Sequence, residues 1–164
     1  MIRTIERDST LLFGRERRMA RHGPMMPVEI LLVEDSPDDA ALMVVALREG
    51  GLTTRVSVVE DGEQAIDYLR RAGEYAAVPL PHLVLLDLFL PRKNGFEVLA
   101  EIKQDPELRR IPVVIMTSSD NERAILGAYD MHANCCVPKP ADQAQFAQVV
   151  QRIEHFWLNV VNRP

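Results

Sequence analysis

Residues 83 to 87 read Leu-Val-Leu-Leu-Asp, four apolar side chains in a row closed by a carboxylate. A continuous apolar run of this kind, without polar alternation, suits a strand covered on both faces, as at the centre of a parallel sheet. The acid that ends it is conspicuous in such company. Working outward, short runs rich in Val, Ile and Leu alternate with helical periodicity from Val28 onward, five times in all. Val28 to Val33 reads as the first strand, and Ser36-Pro37 then supplies an N-cap and a first-turn proline for a helix to Glu49, stopped by Gly50-Gly51. The second strand is placed at Arg55 to Val59, and Asp61-Gly62 opens a helix with Ala65, Ile66 and Leu69 on one face and Gly73 as its C-cap. After Leu83 to Leu86, a third helix carries Phe96, Val98, Leu99 and Ile102. The fourth strand is Pro112 to Met116, the fourth helix Glu122 to Asp130 and the fifth strand Asn134 to Val137. Pro138 lacks the N–H that a central strand needs, which sends this last strand to an edge. A final long helix sets Phe146, Val149, Val150, Ile153, Trp157 and Val160 or Val161 on one stripe. Five βα units with right-handed crossovers predict an α/β fold, a flavodoxin-like (βα)5 three-layer sandwich with parallel strand order 2-1-3-4-5.

The chain has 164 residues, enough for one domain with a sizeable core and cramped for two. Residues 1–27 show no sustained strand or helix pattern and end in His22-Gly23-Pro24-Met25-Met26-Pro27, so they are read as a flexible extension ahead of a domain at 28–164. That leader holds six Arg against three acids; taken from totals of 19 basic and 24 acidic residues, this leaves 13 and 21 from Val28 onward, a net of −8. A domain so acidic repels a phosphate backbone, which argues against nucleic acid as a partner. No apolar run approaches the roughly 20 residues of a bilayer span and the start lacks a secretory pattern, so a cytoplasmic, membrane-free chain is expected. Cys135 and Cys136 are adjacent, which neither staples a fold nor supplies a structural zinc site; they read as reduced core thiols.

In an open parallel sheet the ligand crevice lies beyond the carboxyl ends of the strands. Glu34 and Asp35 follow the first strand, Asp87 ends the third, Thr117 and Ser118 end the fourth, and Lys139 follows the fifth. Carboxylates gathered this closely must take up protons or bind a cation. With oxygen ligands only, and no His or thiolate at these ends, Mg2+ fits better than zinc or copper. A carboxylate can also attack phosphorus, and the charge on the phosphoryl oxygens then needs positive partners. Asp87, at the end of the central strand, is the candidate nucleophile; Glu34 and Asp35 serve the metal, while Lys139 and the Thr117 hydroxyl face the phosphoryl group.

Four stretches carry a family resemblance: Leu-Leu-Val-Glu-Asp-Ser-Pro-Asp-Asp at 31–39, Leu-Leu-Asp-Leu-Phe-Leu-Pro-Arg-Lys-Asn-Gly at 85–95, Val-Ile-Met-Thr-Ser-Ser at 114–119 and Val-Pro-Lys-Pro at 137–140. Their order and spacing resemble receiver domains of two-component response regulators, from Val28 to about Val161. The longish loop before the third strand and the closing Phe156-Trp157-Leu158 look most like the single-domain regulators of bacterial and cyanobacterial phytochrome kinases. The resemblance implies a phosphorelay protein that accepts a phosphoryl group from a sensor histidine kinase on Asp87, with Glu34 and Asp35 as the acidic pair. It also implies that Phe89 lends its backbone carbonyl to Mg2+, that Thr117 and Lys139 contact the phosphoryl group, and that a cis peptide precedes Pro140. Three positions depart from the family pattern. Glu34 stands where Asp is common, which makes contact through water the expectation. Phe89 stands where many relatives carry Asn, and its ring is expected to slow water attack on the acyl phosphate. Cys136 stands where a switching Tyr or Phe is usual.

Plainer roles are expected elsewhere. Asp38 and Asp39 suit the helix dipole, Ser118 and Ser119 act as loop or cap hydroxyls, and His22, His82, His132 and His155 fall outside the crevice. Phe156, Leu158 and Val161 widen the last helix's stripe, which predicts a homodimer through the fourth helix, fifth strand and fifth helix. Nothing after residue 140 resembles an output domain, so signalling by protein contacts or phosphate drainage is expected rather than enzyme action. A phosphohydrolase of the haloacid-dehalogenase type would want a second Asp where Phe89 stands. A flavodoxin-like module that is never phosphorylated is the remaining alternative.

Overall fold

Leu83 to Leu86 are sealed from solvent because the strand they form, β4 (Leu83–Asp87), runs between two parallel neighbours. The computed structural model describes residues 3–5, 26–118 and 122–156. Within them β2 (Val28–Val33), β3 (Thr54–Val59), β5 (Val113–Thr117) and β6 (Cys135–Pro138) join β4 in a parallel sheet, ordered β3-β2-β4-β5-β6. This is the 2-1-3-4-5 order read from the sequence. Each strand start or end differs from the reading by at most one residue, because ladder bonds extend to Thr54, Asp87, Thr117 and Pro138.

Helices α1 (Pro37–Glu49) and α5 (Gln143–Phe156) cover one face. Met43, Val44 and Leu47 of α1 meet Phe146, Val149, Val150 and Ile153 of α5 over Ile30, Leu32 and Leu85. Trp157, Leu158, Val160 and Val161, which the sequence assigns to the α5 stripe, lie outside the described residues. The opposite face is closed by α2 (Gly62–Leu69), α3 (Gly95–Gln104) and α4 (Glu122–Asp130), whose Ile66, Leu69, Val98, Leu99, Ile102 and Ala128 pack on Leu31, Val33, Val84 and Leu86. The alternation of side chains along each strand thus splits one sheet between two cores.

Local chemistry sets the helix starts. Ser36 accepts the Asp39 N–H and Pro37 follows, Asp61 accepts from Gln64, and Asn94 and Glu97 form a reciprocal capping box. The end of α2 differs from expectation. The helix stops at Leu69, and the left-handed residue that turns the chain is Arg71, with φ 55°, while Gly73 opens a short 3-10 turn to Tyr75. The N-terminal segment also adds something the sequence pattern does not suggest: β1 (Arg3–Ile5) pairs antiparallel with β3, Arg3 opposite Val58 and Ile5 opposite Val56. Its three residues are too few to show a periodicity.

Candidate functional site

Strand direction and loop length bring the predicted polar residues to one edge. Glu34 leaves β2 almost wholly buried, with its N–H on the Val59 carbonyl and its Oε1 accepting the Ser36 N–H at 3.0 Å. Asp87 ends β4 at 4 % exposure, and its Oδ1 accepts the Phe89 N–H at 3.1 Å. The loop after Asp87 must fold back tightly. A Cβ at Gly95 would strike the Asp87 carbonyl and the Leu88 Cα, so only glycine lets α3 start here, with its N–H bonded to the Leu88 carbonyl. Thr117 is buried at the end of β5, one residue beyond Met116, the register partner of Asp87.

Lys139 stands at the centre of the arrangement. Its N–H reaches the Thr117 carbonyl at 2.7 Å, and its ammonium lies 2.8 Å from Glu34 Oε2, 3.1 Å from Asp87 Oδ2 and 3.0 Å from Asp39 Oδ2. The peptide bond into Pro140 is trans, not the cis bond the resemblance implies. The inward aim of the lysine here comes from the Thr117 hydrogen bond and the three ion pairs. Burial alone would lower the lysine's proton affinity, but hydrogen bonds to Glu34 and Asp39 and the charge of Asp87 outweigh it, holding the ammonium charged well above its ordinary range. For Glu34 burial wins. It lifts the carboxyl above its usual 4.5, with the Asp87 charge adding to the rise and Lys139 and the Ser36 N–H only partly offsetting it.

Ligand oxygens of Glu34, Asp35 and Asp87 come within 4.8 Å of one another, with Asp35 exposed. Lys139 pairs with Glu34, Asp39 and Asp87, and Asp35 adds a fourth carboxylate beside them, so the edge keeps an excess of negative charge suited to a divalent cation. All donors are hard oxygens, which matches Mg2+ in kind and leaves room for the several waters it retains. Phe89 follows Asp87 by two residues and is 56 % exposed.

Sequence reasoning assigned Asp39 only to the helix dipole, and the structure adds its ion pair with Lys139. No local signal marks this pairing, because Asp35 and Ser36 precede α1 and Lys139 lies a hundred positions away. Of the remaining polar residues, Ser118 is exposed and Ser119 lies outside the described residues. Cys135 and Cys136 are free and half-buried on opposite faces of β6, one packed against each core. The Cys136 N–H donates to the Tyr129 hydroxyl of α4 at 3.3 Å, so an aromatic touches this strand position from the neighbouring helix.

A family model of the response regulator receiver domain matches residues 30–151. Response regulator Rcp1 of Synechocystis sp. is 45% identical over 138 residues, 84% of this chain and 94% of the relative. The crystal structure of its Mn(2+)-bound form superposes with a TM-score of 0.76, covering 84% of this chain and 99% of that one. The phosphorylated cyanobacterial phytochrome response regulator RcpA gives a TM-score of 0.77 at 48% identity, covering 82% of this chain and 96% of that one. A bacteriophytochrome response regulator, RtBRR, gives 0.69 at 42% identity, covering 85% and 84%. With the family model spanning most of the chain and the acid-lysine edge at the carboxyl ends of its parallel strands, the chain belongs to the response regulator receiver domains.

Proposed function

We propose that Asp87 is the phosphoacceptor of a single-domain relay, fed by a phytochrome-type sensor histidine kinase. The observation that carries this reading is the Lys139 ammonium held between Glu34 and Asp87, with Asp35 beside them. An Asp87 carboxylate oxygen attacks the phosphorus of a phosphohistidine; the P–N bond breaks, and its electron pair leaves with the imidazole. Glu34, Asp35, Asp87 and the Phe89 backbone carbonyl would hold Mg2+, which would supply charge neutralisation at the phosphoryl oxygens. Lys139 and the Thr117 hydroxyl bind those oxygens, and the fixed ammonium takes up the new charge without reorganising.

The phytochrome assignment is supported by 48% and 45% identity to RcpA and Rcp1 over nearly their full lengths. Output passes through protein contacts, in the cytoplasm where the kinase meets its nucleotide, rather than through an enzymatic activity of the chain's own. The contact surface is a homodimer face of α4, β6 and α5, supported by the exposed Leu126 and Tyr129 of α4.

The test is incubation with Mg2+ and acetyl phosphate, followed by intact mass. One phosphoryl group should appear, vanish on chelation of the metal before the reaction, and be absent in Asp87→Asn. Continuous phosphate release instead would favour a hydrolase, and an unmodified chain would favour a binding module.

A further inference from the structure

We infer that Asp39 is a positioning residue for the phosphotransfer lysine, the anchor that keeps Lys139 in place once its other two partners are drawn away. The inference rests on the reading of Asp87 as phosphoacceptor. An ammonium has three N–H donors, and Lys139 has three carboxylates within reach: Glu34 at 2.8 Å, Asp39 at 3.0 Å and Asp87 at 3.1 Å. Two of these are claimed by the chemistry. Glu34 belongs to the acidic set that the cation draws on, and an Asp87 oxygen becomes the bridging oxygen of the acyl phosphate. The lysine's hydrogen bond to Asp87 must then pass to a phosphoryl oxygen.

Asp39 is claimed by neither. It lies outside the Glu34, Asp35 and Asp87 group, and its own place is fixed at the first turn of α1, where its N–H meets the Ser36 hydroxyl. A carboxylate there keeps the flexible four-carbon stem of Lys139 from following the Glu34 charge toward the metal. The lysine's reach is defined from both ends, by the Thr117 carbonyl at its backbone N–H and by Asp39 at its ammonium. A plain helix-dipole role predicts something different: loss of Asp39 would then cost stability alone, independently of Lys139. The neighbouring Asp38 is exposed and serves as the control for that role.

The experiment compares rates of Asp87 phosphorylation by acetyl phosphate at saturating Mg2+ in the full chain, Asp39→Ala, Asp39→Glu, Asp38→Ala, Lys139→Ala and the Asp39→Ala/Lys139→Ala pair. Asp39→Ala should slow the reaction about three- to tenfold, the worth of a half-exposed charged hydrogen bond. Asp39→Glu should recover part of the rate, Asp38→Ala should leave it unchanged, and Asp39→Ala should add nothing in the Lys139→Ala background. Additive losses, or an equal effect from Asp38→Ala, would overturn the inference. A second reading needs no turnover: acylation of Lys139 by an activated ester, mapped by mass spectrometry, should run faster in Asp39→Ala, and an unchanged rate would overturn it too. A wild-type chain that takes no phosphoryl group would overturn the proposed function along with this inference. A chain that is phosphorylated but shows additive losses sinks only the role of Asp39.

Discussion

Phe89 is the residue whose effect on the proposed chemistry is easiest to isolate. The residue is more than half exposed and its backbone N–H, not its side chain, bonds Asp87, so replacing it leaves the carboxylate's support intact. Phe89→Asn should shorten the acyl-phosphate lifetime about tenfold, roughly 1.4 kcal/mol off the hydrolysis barrier, by admitting and orienting water. Following the loss of phosphate from the isolated protein checks this, and a lifetime equal to wild type would refute the shielding role. Glu34 makes a pH-dependent prediction. Because burial raises its folded-state pKa, the folded chain binds that proton more tightly than the unfolded one. Its contribution to stability is therefore complete below the ordinary 4.5 and is lost as pH rises through the raised value. Mg2+ needs the ionised form, so the thermal stabilisation by Mg2+ should grow as pH rises and Glu34 deprotonates. Glu34→Gln should remove that slope in a melting series. At this scale the sequence exposed every residue of the acid-lysine edge except the Asp39 pairing. That contact joins positions a hundred residues apart, and only folding decides that α1's first turn and the loop after β6 meet.

At the scale of elements, the turn between β4 and α3 is the tightest piece of construction near the site. Asn94→Ala removes a cap and should cost about 1 kcal/mol, with phosphorylation largely kept. Gly95→Ala should cost about 1–3 kcal/mol by overpacking and should also disturb phosphorylation, because the displaced atoms are the Asp87 carbonyl and Leu88 Cα themselves. Denaturant melts paired with phosphorylation rates distinguish the two variants. The starts of α1 and α2 were readable because Ser36 and Asp61 act through bonds within three residues, whereas the Asn94 cap of α3 was not read. The end of α2 was not, since a left-handed Arg71 breaks the usual preference for glycine and is held by bonds such as Ala72 N–H to the Asp67 carbonyl. Three further hydrogen bonds brace the elements behind the site. The Lys103 ammonium reaches the Ile111 carbonyl and Asn134 Oδ1, and Asn134 Oδ1 in turn accepts the Val113 N–H. Burial lowers the proton affinity of Lys103.

For the whole molecule, the strand order followed from chain logic alone: five βα units, right-handed crossovers and one proline that excludes a central place for β6. The β1 pairing escaped that logic because three residues carry no period and their partner strand is fifty residues away. The proposed dimer belongs to this scale. Light scattering at tens of micromolar should give twice the chain mass, and Leu126→Glu, which sets a charge on the exposed ridge of α4, should return it to the monomer. A monomer in wild type would refute the dimer while leaving the phosphoacceptor untouched.

The short antiparallel strand has a consequence for colloidal behaviour. Without it, one margin of the sheet would be the six-residue β3, an inviting template for a like strand from another molecule. With it, that margin shrinks to three residues. The opposite margin is blunted by different means: Pro138 offers no N–H, and the Tyr129 hydroxyl sits on that of Cys136. Among the described residues the parallel sheet is thereby left with no long run of free backbone on either side, a safeguard against fibrillar stacking written into its two rims.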